Sequence, residues 1–203
     1  MICSFGTLCF SSALIKSNNL KKCSYPFDWI FSNPNMIIDC IEDGFKKFLD
    51  KSYYIHINDA SCGHSMYHPT MFFHRNPLLK ADDYNYYVRC VGRFKDLLSN
   101  LNTKLFIITF HNNTEIHSNH KQDICSFNER LKQYTSNYKL LVIYHLSNKK
   151  CLYHSFSNDD NIDFLELHTL KHSNGEKFVL RRDRTYINEI FTNYINTVFD
   201  NPL

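Results

Sequence analysis

The chain has 203 residues, enough to bury a full core without disulfide or metal staples. Hydrophobic residues make up 43% of it and charged residues 21%, which excludes a disordered chain. The net charge of +3, with basic residues scattered apart from Arg181-Arg182-Asp183-Arg184, argues against a nucleic-acid partner, and the lack of any run of about 18 apolar residues argues against a membrane span.

In chain order, Ile2 to Phe5 reads as a short strand, followed by a turn at Gly6-Thr7 and a helix from about Cys9 to Ser17. Pro26 to Ile30 is an apolar segment between turn residues. Asn35 to Phe48 keeps Met36, Ile37, Cys40, Ile41, Phe45 and Phe48 on one face and predicts a single helix. The pattern from Asp50 to Leu79 is irregular, with strand-like pieces at Tyr53-Tyr54-Ile55 and Met71-Phe72-Phe73.

Asp82 to Leu101 is the clearest helix, opened by two acidic residues and striped by Tyr84, Tyr87, Val88, Val91, Phe94, Leu98 and Leu101. Lys104 to Phe110 and Leu140 to Leu146 are near-continuous apolar runs, as buried parallel strands require, with a helix at about Gln122 to Tyr134 between them. Further strands are expected at Cys151 to Phe156, Phe164 to Thr169 and Phe178 to Leu180, the last after the turn Ser173-Asn174-Gly175. A closing helix carries Tyr186, Ile187, Ile190, Phe191, Tyr194, Ile195 and Val198. This order predicts one domain over residues 1–203, an α/β three-layer sandwich around a mostly parallel sheet.

Met1 to Leu8 is too short for a signal peptide. Of the eight cysteines, Cys40, Cys90 and Cys151 fall inside apolar patterns, as reduced core thiols of a soluble cytoplasmic protein would. The abundance of Asn, Lys, Ile, Tyr and Phe reflects AT-rich coding, as in large DNA viruses. A viral chain would work in host cytoplasm, with a host protein as a candidate substrate.

Cys9 follows a strand and a Gly turn and opens a helix, a place where free N–H groups and the helix dipole favour a thiolate and an oxyanion. On position alone, a small core thiol is the commoner outcome. Cys62, His64, His68 and His74 are competent zinc ligands, but their spacing fits no standard pattern, and neither metal nor cofactor is expected. His111, His117 and His120 read as a solvated loop.

Ser4-Phe5-Gly6-Thr7-Leu8-Cys9 and Leu20-Lys21-Lys22-Cys23-Ser24-Tyr25-Pro26-Phe27-Asp28-Trp29 together resemble a family labelled "putative papain-like cysteine peptidase". Its segments run Ser-x-Gly-x-x-Cys and then Leu-Arg-x-x-Ser-x-Pro-Phe-Asp-Trp. Phe73-His74, Arg89 to Phe94, Leu105-Phe106-Ile107, and Asn174-Gly175 through Phe178, Asp183 and Tyr186 resemble later family elements. The resemblance implies a cysteine-dependent hydrolase of peptide or acyl bonds with Cys9 as nucleophile. His74 is then the expected base, with His168 its competitor, and Asp28 or Asp183 the orienting carboxylate. Gly6, Trp29, Arg89 and Arg93 are the candidate substrate-binding residues.

Asp28 also has a structural reading, bonded to backbone or to Arg89, and Asp183 one as a helix N-cap. Strand–helix alternation fits a parallel sandwich better than a papain-type split. An SGNH-type esterase or glycan-processing relative shares that order, although Asp183-Arg184-Thr185-Tyr186 puts Tyr where such enzymes have His. A non-catalytic binding or host-interaction module on the same fold is the alternative of another class.

Overall fold

A computed structural model of the chain describes residues 1–115 and 118–200. The chain is a single α/β domain built on a five-stranded sheet of order β1-β5-β6-β8-β7. Its strands are β1 (Ile2–Ser4), β5 (Lys104–Asn113), β6 (Tyr138–Leu146), β7 (Tyr153–Asp159) and β8 (Ile162–His168). Strands β1, β5, β6 and β8 run parallel, and only the edge strand β7 is antiparallel.

The period of two in the buried strands sorts the core into two layers. Leu105, Ile107, Leu141, Ile143, Leu165 and Leu167 point to one face, where α1 (Phe10–Ser17) and α6 (Arg181–Asp200) cover them. Phe106, Ile108, Leu140, Val142 and Phe164 point to the other, beneath α2 (Pro34–Glu42), α4 (Ala81–Ser99) and α5 (Ser118–Leu131). The predicted three-layer sandwich with a mostly parallel sheet is therefore present.

The second layer is unusually aromatic. Phe5, just past β1, stacks on Phe106 at 4.6 Å and meets Phe27, Phe94 and Phe127 edge-on at 5.7 to 6.3 Å. These offset and perpendicular arrangements suit the ring quadrupoles. They also join the segment before Cys9 to α4, to α5 and to the Pro-Phe-Asp-Trp turn.

Several boundaries differ from the sequence pattern. The helix expected over Asn35 to Phe48 is broken: Gly44 and Phe45 are both left-handed at φ 67° and 65°. Phe45 N–H then donates to Cys40 O at 2.7 Å and Gly44 N–H to Ile41 O at 3.2 Å, a Schellman end, before α3 (Lys46–Leu49) resumes. Periodicity survives the break because Phe45 and Phe48 are still buried. The irregular stretch is a small antiparallel meander, β2 (Tyr54–Asn58), β3 (Ser61–His64) and β4 (His68–Phe72). Short strands with mixed polarity leave no clean alternation to read.

Phe178 to Leu180 is no strand; a lone bridge joins Ser173 to Phe178. The α4 stripe includes Cys90 and Leu97, whereas Val88 and Leu101 are exposed. Cys40 and Cys90 are buried, but Cys151 is exposed, since it lies in the turn ahead of β7 rather than in a strand. All eight thiols are unpaired. No helix among the described residues is long and apolar enough to cross a membrane.

Phe5→Ala empties the centre of the aromatic layer and is expected to cost about 3 to 5 kcal/mol. Urea unfolding followed by circular dichroism checks this; a loss under about 1 kcal/mol would contradict the packing described.

Candidate active site

Cys9 is carried on a turn that the sequence can make in few other ways. Gly6 and Thr7 are consecutive left-handed residues, at φ 77° and 74°. A side chain at Gly6 would place Cβ 2.4 Å from Ser32 Oγ and 2.6 Å from Phe27 O, so only glycine fits. Thr7 endures the same strained region because its neighbours over-determine it. Its N–H donates to Ser32 Oγ at 3.1 Å and its hydroxyl to Thr109 O. Gly6 N–H donates to Ser4 Oγ at 3.0 Å, and the Ser32 hydroxyl donates to Phe5 O at 2.9 Å.

Two residues on, Cys9 caps α1 without any side-chain cap. Among the described residues, the N–H groups of Leu8, Cys9 and Phe10 donate to no protein group. They leave donors and positive dipole beside the sulfur.

Cys9 Sγ lies 3.3 Å from His74 Nε2. His74 sits in a two-residue turn after β4, between the fully buried Phe72 and an anchored pair. Arg75 binds Asp83 Oδ1 at 2.8 Å and stacks 3.9 Å above the ring of Tyr86, while Asn76 N–H donates to Asp83 Oδ2 at 2.9 Å. The Asn76 amide, itself fully buried, donates to Asn58 O and Ser61 O and accepts from Leu79 N–H. Thus α4 and the β2–β3 turn together fix the imidazole against Cys9.

Cys9 and His74 open into a cavity of about 680 Å³ walled by Trp29, Phe31, Phe73, Tyr86 and the Asn174–Gly175–Glu176 turn. Half-burial pushes the Cys9 thiol up to about 11, and the Glu176 carboxylate pushes it the same way. The Glu176 turn has its own support. The Asn112 side chain clamps Ser173 through two bonds of 2.7 Å, and Asn112 N–H donates to Nδ1 of the buried His145 at 3.0 Å. With Nδ1 accepting, Nε2 carries the proton and donates to Thr169 Oγ1 at 2.6 Å. Burial holds His145 down to about 3, so the ring is neutral at physiological pH.

The other candidates are placed elsewhere. Asp28 is fully buried and accepts from Lys21 Nζ at 2.5 Å and Tyr25 N–H at 2.8 Å; it has no bond to His74 or Arg89. Burial raises its carboxyl above the usual range against the pull of Lys21. Oδ1 makes no well-formed bond, although the buried Ser12 hydroxyl is near enough to stabilise its charge. Lys21 stands where the resembled pattern has Arg, so this ion pair accounts for two motif positions. Asp183 accepts from Leu170 N–H and Lys171 N–H at 3.2 and 3.0 Å, joining the first turn of α6 to the end of β8.

His168 bonds Glu166 at 2.6 Å on β8, which is three strands from β1 and so about 14 Å away at ~4.8 Å per strand. Arg89 is exposed on α4, and Arg93 donates to Ser24 O at 2.9 Å, a structural bond. Trp29 lines the cavity, and Gly6 shapes the turn without facing it. Tyr186 turns away, bonding His154 at 2.7 Å, so Asp183 and Tyr186 form no esterase pair beside Cys9.

The zinc-competent side chains Cys62, His64, His68 and His74 are not grouped together. Cys62 is buried in β3, His64 stacks on Tyr53 and Tyr67, and His68 stacks on Phe31. No three His, Cys, Asp or Glu side chains among the described residues are grouped to hold a metal. His111 and His120 do not form a simple solvated loop: His111 lies on β5 and His120 stacks on Phe110, while His117 lies outside the described residues.

Arg75, Asp83, Ser32, Thr109 and Glu176 were not singled out by sequence reasoning. Asp83 had a visible signal as an acid in the first helical turn, but that pattern points to the helix dipole rather than to a clamp. Glu176 had only the neighbouring Asn174-Gly175 turn.

Residues 1–76 match the model of a family described as "putative papain-like cysteine peptidase". The match holds both N-terminal motifs and His74, and it spans little more than a third of the chain. The elements compared beyond it, from Arg89 to Tyr186, lie outside the matched residues. No curated protein and no solved structure matches the chain.

Removing Lys21 as Lys21→Met leaves Asp28 buried without its counter-charge and is expected to cost about 3 kcal/mol at neutral pH. Its carboxyl then rises further, so the deficit shrinks as pH falls and Asp28 protonates. Urea midpoints at pH 5 and pH 8 check the sign; a deficit that grows on acidification would exclude this role.

Proposed function

We propose that the chain is a cysteine-dependent hydrolase of peptide or acyl bonds, with Cys9 as nucleophile and His74 as general base. The observation that carries this reading is the 3.3 Å approach of Cys9 Sγ to His74 Nε2 beside unengaged N–H groups. With the thiol pushed up to about 11, Cys9 rests as the protonated thiol, and proton transfer accompanies attack rather than preceding it. Sγ adds to the carbonyl carbon as Nε2 takes its proton. The N–H groups of Cys9 and Phe10 receive the oxyanion. Collapse of the tetrahedral adduct expels the amine or alcohol, which leaves with the proton from Nε2. Water then adds to the thioester, again deprotonated by His74, and frees the acid and the thiol.

The site works as a dyad in this scheme. Among the described residues nothing bonds His74 Nδ1, and the ring is held by Phe73, edge-on at 5.3 Å, and by its anchored turn. The match over residues 1–76 favours a peptide substrate, and the eight unpaired thiols favour a reducing compartment such as cytoplasm. A second reading, a non-catalytic binding module on the same fold, is favoured by the raised thiol and by the missing orienting group.

A chloroacetamide probe at pH 8 separates the two. Catalytic competence predicts that Cys9 reacts ahead of the other seven cysteines and that His74→Ala slows it about a hundredfold. Glu176→Gln removes a negative charge, lowers the thiol pKa, and is expected to speed the reaction about two- to threefold. Labelling of Cys9 no faster than that of the exposed Cys151, and unaffected by His74→Ala, would leave the binding module standing.

A further inference from the structure

The Cys9 cavity has a neighbour beyond Glu176. A second cleft of about 450 Å³ lies between α1 and α6, and Trp29 and Glu176 line both. Phe10, Ala13, Leu14, Lys16 and Ser17 on its wall span α1 from end to end. A helix of that length covers about 12 Å, the reach of three to four extended residues.

Charge is distributed unevenly along this path. Glu176 is the one carboxylate lining either cleft among the described residues, and it makes no ion pair there. Of the cations, Arg75 is neutralised by Asp83, and Arg184 is occupied by Phe178 O and Val179 O. Lys16 and Lys177 lie along the α1–α6 arm. The Asn174 side chain accepts the N–H groups of Glu176 and Lys177 at 3.1 and 2.9 Å, which fixes the turn that presents the carboxylate.

We propose that the two clefts form one continuous groove for an extended peptide, in which Glu176 and Trp29 take a lysine or arginine side chain close to the bond presented to Cys9. This rests on the hydrolase reading and names its substrate class. Lys21 Nζ already lies 5.6 Å over the Trp29 ring, so the unpaired carboxylate recognises the cation by charge while the aromatic wall packs against the aliphatic stem of the side chain. A bound cation also offsets the field that Glu176 places on Cys9, so the correct peptide eases ionisation of the thiol it approaches.

The test uses Cys9→Ala protein, which binds without turnover. Fluorescein-labelled, acetylated hexa-alanine peptides carrying Lys, norleucine or Glu at the third position are titrated by fluorescence anisotropy. The Lys peptide is expected to bind about three- to tenfold tighter than norleucine, and the Glu peptide weakest. The preference should vanish in Cys9→Ala/Glu176→Gln, and a Lys dipeptide should bind more weakly than the hexapeptide. Equal affinity for Lys and norleucine, a preference that survives Glu176→Gln, or no binding of any peptide would overturn the proposal. Chloroacetamide labelling of wild-type Cys9 stays an independent readout, so losing the peptide preference while His74 still governs labelling removes only the groove assignment.

Discussion

Everything at the Cys9 end of the molecule depends on two successive left-handed residues being held after β1. Left-handed backbone at a threonine is unfavourable alone, and at Gly6 there is no room for a side chain. The chain adopts it because Ser32, Ser4 and Thr109 satisfy the turn from three directions while Phe5 is locked into the aromatic layer. The result is a helix whose first N–H groups face open space with a thiol among them. The Ser-x-Gly-x-x-Cys segment is thus mainly a description of a backbone shape, and the half-buried cysteine is its product.

That origin explains which parts were legible in the sequence. The buried strands β5 and β6 and the long helix α4 carry enough periodicity to be read directly, and they impose the parallel sandwich. The meander at residues 54–72 was legible only as strand-like fragments at its two ends, because its strands are short and mix polar with apolar positions. Cys9 was readable as a candidate from its place after a strand and a Gly turn, but its pairing with His74 came only from motif likeness, since 65 positions separate them and no local pattern encodes a contact at that range. The carboxylates were open to two readings for a physical reason. Asp28 and Asp183 are both fully buried, and a buried carboxylate marks a site and a structural clamp equally well. Here each clamps backbone, Asp28 together with Lys21 and Asp183 at the start of α6.

The two halves of the dyad come from separately secured segments. Cys9 belongs to the turn after β1, whereas His74 belongs to the connection between the small meander and α4. Glu176 arrives from a third segment, held by Asn112 and, behind it, by the neutral His145. Burial and the Glu176 charge disfavour the thiolate while the helix start favours it, so the reactivity of Cys9 is a balance among elements distant in sequence.

Asn76 carries a constraint of a different kind. Its amide nitrogen reaches the β2–β3 turn while its carbonyl oxygen receives Leu79 N–H, and the Asn76 side chain itself is fully buried. Aspartate offers no donor, serine falls short of one side or the other, and glutamine is too long by a methylene. The alphabet available at position 76 is therefore close to a single letter. A residue that touches neither sulfur nor imidazole would then drift more slowly over generations than Phe73 beside it, which is largely open to solvent.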